Sequence, residues 1–444
     1  MTPIQAKKFF AKHNIRYVLA QFVDIHGAAK AKAVPVEHYD MIMSEGAGFA
    51  GFAVWGLGMT PDGPDFMGVG DGGTLSAVPW MPGYSRIVCD GHVRGVPYPY
   101  CSRVAAKRQL QKLTDRGFTM WTGIEPEFML LKRDEKGALG LVDPTDQLDK
   151  PCYDYKGLAR AGGIVDEISR HMRAVGIDVY QIDHEDANGQ FEVNYTYTDA
   201  LKSADHYIFF KMAASEIARS HGAIATFMPK PFANRAGNGA HFHISLGTAK
   251  QKNAFYDAKD KRGMKLSQLG YWFMGGLLKH ANALAAICAP SVNSYKRLVV
   301  GRSLSGATWA PAFIAYGDNN RSACVRVPGG RIEFRLPDGA MNPYLATAAI
   351  AAAGLDGIDN KIDPGEPLNI NLYDLTLEQI RDRGIGLLPQ NLSAAVDALE
   401  QDEVVKAGIG AELAAEFIRI KRMEWIEYSR HVSDWESHRY LEMF

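Results

Sequence analysis

The sequence has no C-x-x-C pair. Its five cysteines, Cys89, Cys101, Cys152, Cys288 and Cys324, are odd in number and widely separated. This argues against a structural zinc site and a disulfide framework, and favours a reducing compartment. No apolar run approaches the roughly 20 residues needed to span a bilayer. The opening "MTPIQAKKFFAKHN" lacks an apolar signal core, so the expected location is the cytoplasm, without membrane contact. An excess of one charge is also missing: 49 Lys and Arg stand against 50 Asp and Glu, so no bulk field draws the chain to nucleic acid. Neither G-x-x-x-x-G-K-[ST] nor a dinucleotide G-x-G-x-x-G context occurs, so any ATP must be held without a glycine-rich phosphate loop.

What remains is a 444-residue chain, 47% hydrophobic, long enough for a large core and more than one domain. Thr2-Pro3-Ile4-Gln5 predicts a capped helix at the start. "IRYVLAQFVD", a His26-Gly27 turn and "AAKAKAVPV" predict a hairpin. Gly- and Pro-rich text from Gly46 to Tyr100 predicts a small β-rich unit, with a boundary near residue 103. Beyond it, helical patterns such as "SRVAAKRQLQKLTDRG" and "DHYIFFKMAASEIARSHG" alternate with short strands, giving a large α+β domain. Helices dominate again from "NPYLATAAIAAAGL" onward.

Several of those strands carry charge where apolar residues are expected. In "WTGIEPEF", Glu125 and Glu127 are two positions apart and so share a face. "QIDHEDANGQFEVNY" places Glu185 and Glu192 on either side of a turn at Gly189. "GNGAHFHISLG" repeats the spacing with His241 and His243, and "GGRIEFRLPDG" with Arg331, Glu333 and Arg335. Any one pair is also what a strand with a solvated face would show, but the recurrence across four segments is not. Carboxylates gathered in this way repel one another, and divalent cations relieve the repulsion. Mostly oxygen donors with an imidazole favour Mg²⁺ or Mn²⁺ over zinc. Such a platform suits phosphoryl transfer, and Arg297, Arg302, Arg321, Arg326, Arg331 and Arg335 supply guanidinium forks for phosphate or carboxylate. A zinc hydrolase is the rival reading, but it leaves the arginines without phosphates to bind. A non-catalytic descendant is the other, disfavoured by the complete set of acids.

The blocks "GIEPEF", "GQFEVNY", "ATFMPKPF", "GNGAHFHISL", "NSYKRLV", "NRSACVRVP" and "RIEFRLPDGAMNPYL" run in order through residues 103 to 360 and resemble the successive signatures of glutamine synthetases. The resemblance implies a small N-terminal β-grasp domain (residues 1–102) and a catalytic domain with an antiparallel, curved sheet (103–444). It also implies a homo-oligomer, a dodecamer of two stacked hexameric rings with sites between neighbouring subunits. Glu127, Glu185 and Glu192 then correspond to ligands of the metal on the substrate side, and Glu125, His241 and Glu333 to ligands of the metal on the ATP phosphates. His243 and Ser245 correspond to nucleotide contacts, Tyr197 to an aromatic near adenine, and Arg321, Arg326 and Arg331 to phosphate-binding arginines. Arg297, Arg335 and Gly237 correspond to positions holding L-glutamate. The implied reaction joins the glutamate γ-carboxylate to an amine at the expense of ATP.

Departures from the family pattern bear on the amine. Ala50 stands where an ammonium-binding Asp is usual. The flap "NSYKRLVVGRSLSGATWAP" contains no acid where a Glu is usual, and Ala236 replaces a common Asn. Ammonium wants acceptors and negative charge, whereas a methylated amine has one donor fewer and an apolar methyl suited to Ala50, Trp55 or Trp309. The chain therefore most resembles the branch of the family that uses methylamine, with ammonia as the alternative substrate. Asp65 and Tyr153 match residues near the amine pocket, where they would orient or deprotonate the amine.

Overall fold

A computed structural model describes residues 1–299 and 310–444, so Arg302, Trp309 and most of the expected flap lie outside the described residues. The first helix, Pro3–Lys12, starts as its sequence dictates: Thr2 accepts from the Gln5 amide, and the Gln5 side chain accepts from the Thr2 amide. The strands Tyr17–Val23 and Ala29–Pro35 pair antiparallel, and the turn between them uses Gly27 at φ 82°. Tyr17–Val23 also runs parallel to the long strand Tyr84–Val93, which places it centrally in a mixed N-terminal sheet.

The second sheet has eleven strands among the described residues and is organised around Thr119–Arg133. That strand is flanked antiparallel by Gln190–Tyr195 on one side and Ala240–Gly247 on the other. Ile332–Phe334, Ala323–Val327 and Phe313–Asp318 continue outward from Ala240–Gly247. The pairings are antiparallel as expected, except that Phe313–Asp318 and Ala323–Val327 run parallel. Alternation sorts the side chains. Ile124, Phe242, Ile244, Ile332 and Phe334 join Leu345 and Ile350 of the helix Pro343–Asp359 in the main core. Each fully buried side chain of this kind contributes about 1.5–3 kcal/mol. A one-residue slip of any strand would exchange these for the acids on the other face, so the core fixes the register of the polar side.

Two buried polar nodes tie the layers together. Arg103, at the start of the helix Ser102–Asp115, contacts Asp90 at 2.7 Å, Asp71 at 3.0 Å and Asp205 at 2.9 Å. Tyr344 donates to the same Asp205 at 2.6 Å. One guanidinium thus joins the N-terminal sheet to the helices Ala200–Ser220 and Pro343–Asp359; without it the buried Asp205 would lose its cation, whereas Asp90 and Asp71 would still have Lys107.

In the second node His280 Nδ1 lies 2.6 Å from Asp402 and Nε2 lies 3.0 Å from Asp356, which also receives Lys279 at 2.8 Å. Burial opposes charging of His280, but the two aspartates outweigh it and raise its pKa above the ordinary 6.5. A raised folded-state pKa means that this stabilisation is complete below the unfolded value and is lost as pH rises through the folded one. The melting-temperature gap between wild type and His280→Asn should therefore be wider near about pH 6 than near about pH 9. A gap independent of pH would contradict this role.

Candidate active site

The polar face of the second sheet is assembled by strand register. Glu127 and Glu192 are direct cross-strand partners, as are Glu125 and His241, and His243 and Glu333. Arg326 faces Glu333 from the next strand. Glu185 follows the strand Val179–His184, and its amide donates to Gln190 O at 2.9 Å across the Gly189 turn. Five strands thus turn period-two spacing into one two-dimensional array of acids, imidazoles and guanidiniums.

This array floors a cavity of about 640 Å³. Glu125, Glu127, Glu185, Glu192, His241, His243, Glu333, Arg297, Arg321, Arg326, Arg331, Arg335, Gly237 and Tyr153 all line it. Three expected residues do not. Ser245 lies one strand step beyond His243, opposite Trp121. Tyr197 is close by, with its ring 6.2 Å from Trp121 and Lys252 Nζ 5.4 Å above it. Asp65 sits on the N-terminal sheet just before the strand Phe66–Gly70, exposed and away from this cavity, as are Ala50 and Trp55.

Charge is unevenly compensated across the floor. Glu333 is fully buried, with Arg335 at 2.7 Å on one oxygen and Arg326 at 2.6 Å on the other. Burial pushes its pKa up, but Arg335, the two histidines and Arg326 pull it below the usual value. Glu125 is likewise held low against burial, by His241 and His243, whose Nε2 lies 2.8 Å from it. Arg331 donates to Nδ1 of His243 at 3.0 Å, which fixes that ring with its proton on the Glu125 side. On the other half, burial and then repulsion from Glu127 push Glu185 up to about 8. Burial, followed by Glu125, Glu185 and Glu127, also pushes Glu192 up. Among the described residues no cation forms an ion pair with Glu185 or Glu192.

The donor set fits a divalent cation closely in one half. One ligand atom each from Glu125, His241 and Glu333 falls within 4.8 Å of the others. Burial and Arg335 lower the pKa of His241, leaving the imidazole neutral, as a ligand must be. Glu127, Glu185 and Glu192 line the same cavity as oxygen-only donors but do not converge as tightly.

Backbone details hold the geometry. The Gly239 amide donates to Glu127 at 2.7 Å, and a β-carbon on Gly239 would sit 2.7 Å from His241, 3.0 Å from Arg297 and 3.1 Å from Glu127. Arg297 is oriented by the carbonyls of Leu336 and Arg335, both at 3.0 Å. Among the cavity residues not anticipated from the sequence, two neutral amides hold the acids in place. Gln190 donates to Glu127 at 3.1 Å and to Gly237 O at 3.0 Å, and Asn194 donates to Glu192 at 2.7 Å. Both share the period-two row of Glu192 in "GQFEVNY", a signal passed over because neither residue is charged.

Residues 99–440 match the family described as glutamine synthetase, catalytic domain. The chain belongs to the glutamine synthetase family. It is 60% identical over its whole length to the glutamate–methylamine ligase of Methyloversatilis universalis, and covers all of that protein. A glutamine synthetase of Rhizobium leguminosarum bv. phaseoli is 43% identical over 96% of this chain and 97% of its own. Among solved structures, a GmaS/ADP complex superposes with a TM-score of 0.91 at 44% identity, over 98% of this chain and 99% of that one. The α+β architecture of this family is thereby the architecture of this chain.

Because Gly239 leaves room for three converging side chains, Gly239→Ala should lower kcat/KM by about 100-fold through misplacement of about an ångström, with the far-ultraviolet dichroism unchanged. Near-native activity in this variant would contradict the close packing.

Proposed function

We propose that the chain ligates the γ-carboxylate of L-glutamate to methylamine with ATP, giving γ-glutamylmethylamide, ADP and phosphate. The observation that carries the choice of amine is full-length 60% identity to a glutamate–methylamine ligase. Ala50, in place of the usual acid, supports it.

In the first step a γ-carboxylate oxygen attacks the γ-phosphorus of ATP and ADP leaves. In the second, the neutral amine attacks the acyl carbon of γ-glutamyl phosphate, phosphate leaves, and a proton is lost from nitrogen. Arg297 and Arg335 hold glutamate with its side chain toward the acid platform, and Gly237 closes against Arg297. Arg321, Arg326 and Arg331 face the phosphates and offset charge on the equatorial oxygens during transfer. His243 and Ser245 extend along one face of the strand Ala240–Gly247, with Tyr197 from the segment after Gln190–Tyr195 beside them, toward the nucleotide base. Glu125, His241 and Glu333 would hold one Mg²⁺ or Mn²⁺, and Glu127, Glu185 and Glu192 another. Such cations, when bound, neutralise phosphate charge and orient the transferring group. Tyr153 lies on the cavity wall at φ 65° and contacts the amine side, and Asp65 reaches that side from a neighbouring copy. The N-terminal residues Ala50, Trp55 and Asp65 are exposed in the single chain, which supports a ring assembly of two stacked hexamers that places them over another subunit's cavity.

Methylamine should exceed ammonium in kcat/KM by at least about ten-fold, the usual worth of one methyl group in a fitted pocket. Ala50→Asp should move the ratio toward ammonium. Amine-dependent ADP release across a panel of amines checks both. A wild-type preference for ammonium would replace this reading with glutamine synthesis.

A further inference from the structure

We infer that a second cavity, separate from the acid platform, binds a small organic carboxylate through Lys211 and Lys421. The cavity has a volume of about 440 Å³ and is walled by the first hairpin turn at Ile25 and His26, by Lys211, by Phe227, by Gly339 and by Lys421. It shares no residue with the acid platform, and no step of the ligation uses it.

Lys211 is the centre of the argument. Its ammonium donates to Gly339 O at 2.9 Å and otherwise faces the rings of Phe227 at 5.2 Å and Tyr207 at 5.6 Å. An ammonium has three donors, so two N–H groups stay available, and among the described residues no carboxylate pairs with it. Burial lowers its pKa to about 8, with the more distant Asp338 and Asp24 working against the shift. A buried cation in this state gains most from an anionic acceptor at hydrogen-bonding distance.

The rest of the lining defines that anion. Lys421 is 2.8 Å from Glu424, whose other oxygen accepts from the Val292 amide at 3.1 Å, so this acid is already engaged. Burial and then Lys421 lower the pKa of His26, leaving it a neutral partner. Phosphate would need more donors than Lys211, a Lys421 already paired to Glu424 and one neutral imidazole supply. A carboxylate needs fewer, and its hydrocarbon body would lie on Ile25, Phe227 and Phe417.

Calorimetric titration of the assembled protein with butyrate and with inorganic phosphate tests the inference. Anion sites in the main cavity are common to wild type and Lys211→Met, so the difference between them reports the second cavity. Butyrate should bind wild type more tightly than phosphate does, and Lys211→Met should weaken it by at least about ten-fold, the worth of a hydrogen bond to a charged group. Equal butyrate affinity in the two proteins, a preference for phosphate, or no butyrate binding would overturn the proposal. If Lys211→Met fails to assemble, Lys421→Met and a butyrate-soaked wild-type crystal decide. Butyrate against Lys211 Nζ supports the site, and a cavity closed by a segment of a second copy refutes it.

Discussion

Mutual repulsion among carboxylates is the constraint around which this fold is arranged. Glu125, Glu127, Glu185, Glu192 and Glu333 are brought onto one cavity floor, and each would cost stability there without compensation. Protein cations meet only part of the demand: Arg326 and Arg335 hold Glu333, and the two imidazoles hold Glu125. Glu185 and Glu192 are left to share protons or to wait for a cation, as their raised pKa values register. Functional groups are thus stored in a strained electrostatic state, and the apolar core on the far side of the sheet supplies the stability that tolerates it.

Much of this was legible in the sequence because strands translate spacing into direction. The pairs Glu125/Glu127 and His241/His243 could be assigned to one face from period two alone, and Gly189 marked the turn that brings the segments of Glu185 and Glu192 together. Register between distant strands was not legible from spacing, since nothing local says that His241 faces Glu125 and not Glu127. Resemblance to glutamine synthetases supplied that information. Neutral helpers such as Gln190 and Asn194 escaped notice for want of charge, although they sit in the same row as Glu192. The parallel pairing of Phe313–Asp318 with Ala323–Val327 also escaped, because a connection as short as residues 319–322 ordinarily joins antiparallel strands.

The residues expected around the amine divide between two places. Tyr153 lies on the cavity, whereas Asp65, Ala50 and Trp55 belong to the N-terminal region, are exposed and do not line their own chain's cavity. The acids and arginines expected to serve phosphoryl transfer, by contrast, gather on that one cavity.

The central claim is that the acid platform exists to hold divalent cations. Titration of the apoprotein with Mn²⁺, followed by electron paramagnetic resonance, tests it most directly. The account predicts more than one bound Mn²⁺ per chain, with Glu192→Gln losing one class of site and retaining the other. Absence of Mn²⁺ binding, or binding unaffected by Glu192→Gln, would contradict it.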